Sequence, residues 1–441
     1  MKIIFLTLLL LHHTNAHFLQ INATSSTGLS YAQKPIFLSG ANLAWIDYGQ
    51  DFGLNQSQAK ACALQEIIKN ISDAGANSLR VWLFVEGQSV PQFDTTGMVT
   101  NTDASGTMLR DLKRFLAYAA SKSIFVILTL WNGALMREQR MKDLITDTNK
   151  LQSFFDKALI PLVQGLKLEP ALAAWEIMNE PEGSVDIHTV DSAQPCFDTN
   201  TVLRNSGAGW SKSNQKMEHL LRFFNLHAAA IKTADPTALV TVGAWSQYSS
   251  TDASITAGKT FFNYYKDECL IAGGGKTKGT LDFYQIHTYA GRGDKKYANG
   301  SPFGNGVVDV STYKLDKPMV IGEFSSGSTG GQRSVQSLYA MGLKKKFAGV
   351  WDWSLLGGDG NDNKTSIRQG LLSLKGNKLV DVDINNGGNV DVVIDQCSCS
   401  NVPPPGPGGY TCSQQASWGK CSSSFMKGYC CRSCFACVGC K

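Results

Sequence analysis

Eight apolar, β-rich runs recur along this 441-residue chain, and the longer stretches between several of them are amphipathic at helical spacing. The runs fall at residues 36–38 continuing into 40–43, and at 77–84, 124–130, 171–178, 238–242, 281–286, 318–322 and 347–351. Helical periodicity is read at about residues 56–74, 104–121, 150–163 and 212–233. Strands that alternate with helices return to the same sheet in parallel, through right-handed crossovers. Unbroken apolarity, as in Ile124-Phe125-Val126-Ile127-Leu128, marks a strand covered on both faces. Eight such units predict an α/β chain closed into a (β/α)8 TIM barrel. No glycine-rich dinucleotide fingerprint follows the first strand to favour an open doubly wound sheet.

Cysteine placement divides the rest of the chain. Of twelve, Cys62, Cys196 and Cys269 precede residue 390, Cys397 and Cys399 stand at a junction, and seven crowd residues 412–440. The expected organisation is a signal peptide at 1–16, a barrel domain at 17–396, a Pro/Gly linker at 397–409 and a small disulfide-rich module at 410–441. A module that short cannot hold itself by core burial and needs covalent staples. At the other end, Lys2, an apolar run over 3–11 and a small-residue site at Thr14-Asn15-Ala16 read as a signal peptide, so a secreted, extracellular protein is expected. The sequons at Asn22, Asn55, Asn70, Asn299 and Asn363 are compatible with that route. Cys196 and Cys269 are expected to bridge two loops, whereas Cys62 falls on a helix where a free thiol is expected.

Charged residues make up only 17% of the chain and the net charge of +5 is scattered. That balance argues against nucleic acid and against a polybasic membrane anchor. A surface made polar by uncharged side chains suits neutral polar ligands.

Barrel chemistry sits at the C-terminal ends of the strands. Reading each strand to its end gives Arg80 on the second, Trp131-Asn132 after the third and Asn179-Glu180-Pro181 after the fourth. Trp245 follows the fifth, His287 and Tyr289 the sixth, Glu323 the seventh, and Trp351-Asp352-Trp353 the eighth. Two carboxyls on one rim match glycosidic bond cleavage, where one protonates the leaving oxygen and the other meets the oxocarbenium-like centre. Arg80 inside an apolar strand demands a partner, because an unpaired buried charge is very costly. Indole faces suit the CH-bearing faces of sugar rings. Taken singly these residues have plainer readings: a strand-end glutamate as an ion-pair partner, His287 as a core histidine, Trp351 as core packing. Their convergence on one rim favours the catalytic reading.

Leu79-Arg80-Val81-Trp82, Met178-Asn179-Glu180-Pro181, Ile286-His287-Thr288-Tyr289 and Ile321-Gly322-Glu323-Phe324 together resemble glycoside hydrolase family 5, with its paired glutamates on strands four and seven. Asn42-Leu43-Ala44-Trp45-Ile46-Asp47-Tyr48-Gly49-Gln50-Asp51-Phe52-Gly53 and Trp351-Asp352-Trp353 look like the animal endo-β-1,4-mannanases of that family, molluscan and arthropod above all. The resemblance covers residues 37–373 and implies a retaining double displacement. By it, Glu180 is the acid/base and Glu323 the nucleophile, with carboxyl groups about 5–5.5 Å apart. Asn179 would bond the sugar 2-hydroxyl, Arg80 and Tyr289 would orient Glu323, and His287 would sit near the acid/base or a sugar hydroxyl. Trp353 would floor the subsite before the cleaved bond. Trp131, Trp245 and Trp210 are further aromatic candidates, though many family members carry histidine where this chain has Trp131-Asn132.

The resemblance implies no metal and no organic cofactor. Asp359 begins a calcium-like loop, but Lys364 stands where that loop needs glycine. The implied partner is β-mannan, with no nucleic acid or membrane, and a monomer is expected. Trp418, Phe425 and Tyr429 are more aromatics than a tiny module can bury, so it looks like a carbohydrate-binding module for insoluble cell-wall polysaccharide; a stabilising or protein-contacting tail is the alternative. Two rival functions remain: an endo-β-1,4-glucanase on the same fold, and a non-catalytic polysaccharide-binding protein.

Overall fold

Eight parallel strands close into a barrel in a computed structural model that describes residues 18–289, 300–304, 308–329, 332–357, 362–384, 410–418 and 420. In chain order they are β1 (Leu38–Ala44), β2 (Ser78–Val85), β3 (Phe125–Asn132), β4 (Leu172–Asn179), β5 (Val240–Ala244), β6 (Tyr284–Thr288), β7 (Met319–Phe324) and β8 (Gly349–Asp352). Each pairs with its neighbour in sequence, and β8 pairs with β1 to close the ring. The expected (β/α)8 architecture is therefore present. The strands run farther than apolar continuity suggested: β2 extends to Val85, β4 to Asn179, β6 to Thr288 and β7 to Phe324. The added residues include the polar Asn179, His287 and Glu323 at the rim.

Helices return the chain from one strand to the next. Gln58–Asp73 follows β1, Met108–Ser121 follows β2, Met217–Ala234 follows β4, Asp267–Gly274 follows β5 and Val335–Lys344 follows β7. The β3–β4 connection is a longer helical run, Gln139–Thr146, Thr148–Phe154, a π-helical turn Phe155–Leu159 and Ile160–Leu166. Among the described residues the β6–β7 connection holds only a 3-10 turn, Val310–Tyr313. Gln58–Asp73 shows why such segments fold as they do. Ser57 accepts the Lys60 N–H as its N-cap, and Leu64, Ile67, Ile68 and Ile71 form one buried stripe. Each such side chain contributes about 1.5–3 kcal/mol by leaving water.

The N-terminal mouth of the barrel is covered by a three-stranded antiparallel sheet, Gln20–Ile21, Leu29–Tyr31 and Lys34–Pro35. Its Tyr31 packs edge-on against Phe125 at the start of β3, with ring centroids 5.2 Å apart. The C-terminal mouth stays open. Cys196 and Cys269 form the expected disulfide, tying the β4–β5 loop to the helix Asp267–Gly274. Cys62 is also disulfide-bonded, which corrects the expectation of a free thiol. No helix among the described residues is long and apolar enough to cross a membrane. The signal segment and the linker lie outside the described residues.

Candidate active site

Arg80 projects from β2 into the barrel with no exposed surface, and each of its five N–H groups has an acceptor. Nε and Nη2 donate to the two oxygens of Glu176 at 2.6 and 2.5 Å. Nη1 donates to Asn42 Oδ1 at 2.9 Å and to Glu323 Oε1 at 2.7 Å, while Nη2 also donates to Asn179 Oδ1 at 2.8 Å. Glu176 is equally buried and also accepts from Thr129 Oγ1 and Gln285 Nε2. This fork-to-fork pair removes most of the cost of burying the guanidinium. Room for it depends on Gly243 of β5, where a Cβ would stand 2.5 Å from Glu176 Oε1.

Strand register aims these groups. Thr241 and Gly243 of β5 stand opposite Glu176 and Asn179 of β4, so β4 gains one residue over that interval. Both polar side chains thereby reach Arg80, which strict alternation would forbid. A similar shift beside β6 sets His287 opposite Glu323.

The two rim carboxyls meet different surroundings. Glu323 ends in two bonds that favour its anion, from Arg80 to Oε1 and from the Tyr289 hydroxyl to Oε2 at 2.6 Å. Burial pushes its proton affinity up and the Glu180 charge adds to that, with His287, Arg80 and Tyr289 opposing the rise without cancelling it. Glu180 has no bond from Arg80. It is pushed up to about 8 by burial, with the charges of Glu182 and Glu176 adding and Arg80 opposing. His287 Nδ1 lies 2.7 Å from Glu180 Oε1 and 3.5 Å from Glu323 Oε2, and burial pushes the imidazole down to about 4, so it is neutral near pH 7. One oxygen of Glu180, one of Glu323 and a ring nitrogen of His287 lie within 4.8 Å of one another. The Glu180 backbone is left-handed, with φ 42° and ψ 58°. Pro181 disfavours the right-handed helical region for the residue before it, and the bond from Glu180 N–H to the Gly243 carbonyl at 2.7 Å holds the turn.

Above these groups lies a cleft of about 600 Å³ with an aromatic wall on either side. Trp45, Tyr48, Trp82 and Trp353 form one, with Trp45 ring centroids 4.8, 5.2 and 6.0 Å from the other three. Trp210 and Trp245 form the other, 5.2 Å apart. Asn132 also lines the cleft, donating to Tyr48 OH at 2.8 Å and accepting from Asn179 Nδ2 at 3.2 Å.

The sequence brought together Arg80, Asn179, Glu180, His287, Tyr289, Glu323, Trp245 and Trp353, and all lie in or directly beneath this cleft. Trp351 is core, as expected, donating to Ser78 Oγ at 3.0 Å. Trp131 requires correction: it has no exposed surface and points away from the cleft. Its Nε1 donates to His227 Nε2 at 3.2 Å, and its ring packs on Phe84 and Phe154. Burial holds His227 down at about 3, which keeps that nitrogen an acceptor. Sequence reasoning also missed Glu176, although the argument that singled out Arg80, a charge inside an apolar strand, applies to it equally. Trp418 is half exposed beside Tyr410, with ring centroids 4.9 Å apart; Phe425 and Tyr429 lie outside the described residues.

Residues 39–357 match the family described as Cellulase (glycosyl hydrolase family 5). The chain belongs to that family. As a family 5 chain it is 43% identical over 334 residues to the mannan endo-1,4-beta-mannosidase of Mytilus edulis, across 75% of this chain and 87% of that one. It is 39% identical over 372 residues to the mannan endo-1,4-beta-mannosidase of Cryptopygus antarcticus, across 84% and 93%. The crystal structure of the endo-1,4-beta-mannanase from Eisenia fetida superposes with a TM-score of 0.75 at 42% identity, covering 85% of this chain and 99% of that one.

Proposed function

We propose that this family 5 hydrolase is a secreted, monomeric endo-β-1,4-mannanase that cleaves internal bonds of mannan, glucomannan or galactomannan with retention of configuration. The observation that carries the mechanism is the approach of Glu180 and Glu323 oxygens to within 4.8 Å. Inverting enzymes hold the two carboxyls about 6.5–9.5 Å apart to admit a water between base and sugar, whereas retaining ones set them near 5–5.5 Å. The relatives named for mannan support the substrate.

In the first step the Glu323 carboxylate attacks the anomeric carbon as the bond to the leaving oxygen breaks, and Glu180 transfers its proton to that oxygen. The products are a glycosyl ester on Glu323 and a shortened chain with a free hydroxyl. In the second step the Glu180 carboxylate takes a proton from water, whose oxygen attacks the anomeric carbon and expels Glu323. Arg80 and Tyr289 hold Glu323 in line and take up its returning charge. Asn179 is fixed by Arg80 and Asn132 with its amide beside the cleft, placed to bond the sugar 2-hydroxyl. The aromatic walls stack on sugar faces, with Trp353 as the floor before the cleaved bond. The C-terminal module, with Trp418 exposed, holds the enzyme on insoluble polysaccharide.

Reducing-end release from linear β-mannan and from carboxymethylcellulose, measured side by side, tests this reading. Strong release from mannan alone is expected. Release from the cellulose derivative alone would replace the substrate and keep the mechanism, and silence on both would favour a binding protein. Truncation before Pro403 is expected to preserve hydrolysis of soluble oligosaccharides and weaken action on insoluble mannan.

A further inference from the structure

Glu182 follows Glu180 by two residues in the 3-10 turn Pro181–Gly183 and is 1% exposed. Among the described residues its carboxyl meets donors only. Oε2 accepts the Trp245 backbone N–H at 3.0 Å, and Oε1 accepts the hydroxyls of Tyr265, at 2.5 Å, and Ser249. Three donors converging on one buried carboxyl match the acceptor-only anion. Its main chain reaches the same wall of the cleft: the Glu182 carbonyl accepts the Gly209 N–H at 2.8 Å, and the Gly183 carbonyl accepts the Ser211 N–H at 2.9 Å. Trp210, between those two donors, lies over Gly183, where a Cβ would stand 2.6 Å from the indole. The Trp210–Trp245 wall thus hangs from the turn that also presents Glu180.

We propose that Glu182 is a positioning residue, a single buried carboxylate that anchors the Trp210–Trp245 wall and sets a fixed negative charge against Glu180. The inference rests on Glu180 being the acid/base. The anion opposes ionisation of Glu180, adding to the effect of burial. The other groups facing Glu180 are Arg80 from β2, Glu176 from β4, His287 from β6, Tyr289 after β6 and Glu323 from β7. Tyr264 and Tyr265 face Glu182 from the β5–β6 connection. Of the carboxylates among these groups, Glu176 spreads its charge onto Arg80 and Glu323 shares it with Arg80 and Tyr289. Among the described residues the bonds to Glu182 come from neutral donors, so of these carboxylates its charge is the one Glu180 meets least neutralised.

The test is the pH profile of kcat/KM on a soluble β-1,4-mannan oligosaccharide for the full chain and for Glu182→Gln, Glu182→Asp and Glu180→Ala. Glutamine keeps a carbonyl oxygen for Trp245 N–H and removes the charge, so the alkaline limb should move about one unit toward acid. Aspartate keeps the charge on a shorter arm, so the limb should stay while KM rises severalfold. A Glu182→Gln enzyme that is less active at every pH with an unmoved limb overturns the proposal. If the glutamine variant does not fold, the aspartate variant decides: an unmoved limb with raised KM supports the proposal, and a limb displaced toward acid overturns it. Glu180→Ala separates the two layers. Loss of the limb in that variant upholds the acid/base reading, and an intact limb refutes that reading whatever Glu182 does.

Discussion

The two halves of the catalytic rim treat a carboxyl in opposite ways. On the β7 side, Glu323 lies within its strand at the register shift, its two oxygens taken by Arg80 and Tyr289, above a guanidinium with every N–H satisfied. On the β4 side, Glu180 stands just past its strand in a left-handed conformation, touched by one neutral imidazole and crowded by buried negative charge. Donors surround one carboxyl, and burial and like charge surround the other. The same side chain is thereby suited to a stable anion in one place and to a transferable proton in the other.

Breaking the anionic half should have the largest effect. Glu323→Gln is expected to lower turnover by at least about 10⁴-fold while calorimetry still detects oligosaccharide binding. On the proton-carrying half, Glu180→Ala should cost about 10²–10⁴-fold on polysaccharide and much less on an aryl glycoside whose leaving group needs no protonation. Equal losses on the two substrates would erase the contrast between the halves. Tyr289→Phe removes one charge-assisted bond of about 1.5–3 kcal/mol, so kcat should fall roughly 10- to 100-fold with the alkaline limb in place.

The smallest effect concerns stability. Glu180 holds its proton more tightly when folded than when unfolded, so its contribution is complete below the ordinary glutamate range near 4.5 and is lost as pH climbs through about 8. The Tm should therefore drop by a few degrees between pH 6 and pH 9, and Glu180→Gln should flatten that slope. A variant with the wild-type slope would place the loss elsewhere.

Much of this contrast was legible in the sequence, and its limits have physical causes. Apolar runs located all eight strands, because a strand covered on both faces is written as uninterrupted apolarity. Three of them ended too early, because Asn179, His287 and Glu323 are strand residues whose polarity reads as the end of a strand. Trp131 was misplaced for a related reason. Adjacent strand residues face opposite sides, so of Trp131 and Asn132 only one can meet the cleft, and the indole went to the apolar side. Glu176 could have been found by the argument that found Arg80, but that it and Asn179 both reach Arg80 depends on the extra residue in β4 opposite Thr241 and Gly243, a register detail that residue types do not record. The turn that lets Glu182 reach Trp245 and Tyr265 is likewise a product of folded geometry.

The double engagement of Arg80 also bears on how such a barrel can change over generations. On the proposed mechanism, replacing Glu323 with glutamine removes the nucleophile and leaves Arg80 and Glu176 as a self-neutralised buried pair, so the chain could give up its chemistry and still fold. Replacing Arg80 instead strands two carboxylates in the interior. A lineage drifting from cutting polysaccharide toward merely holding it therefore has an open route through residue 323 and a closed one through residue 80. Descendants that have lost activity should still carry the arginine.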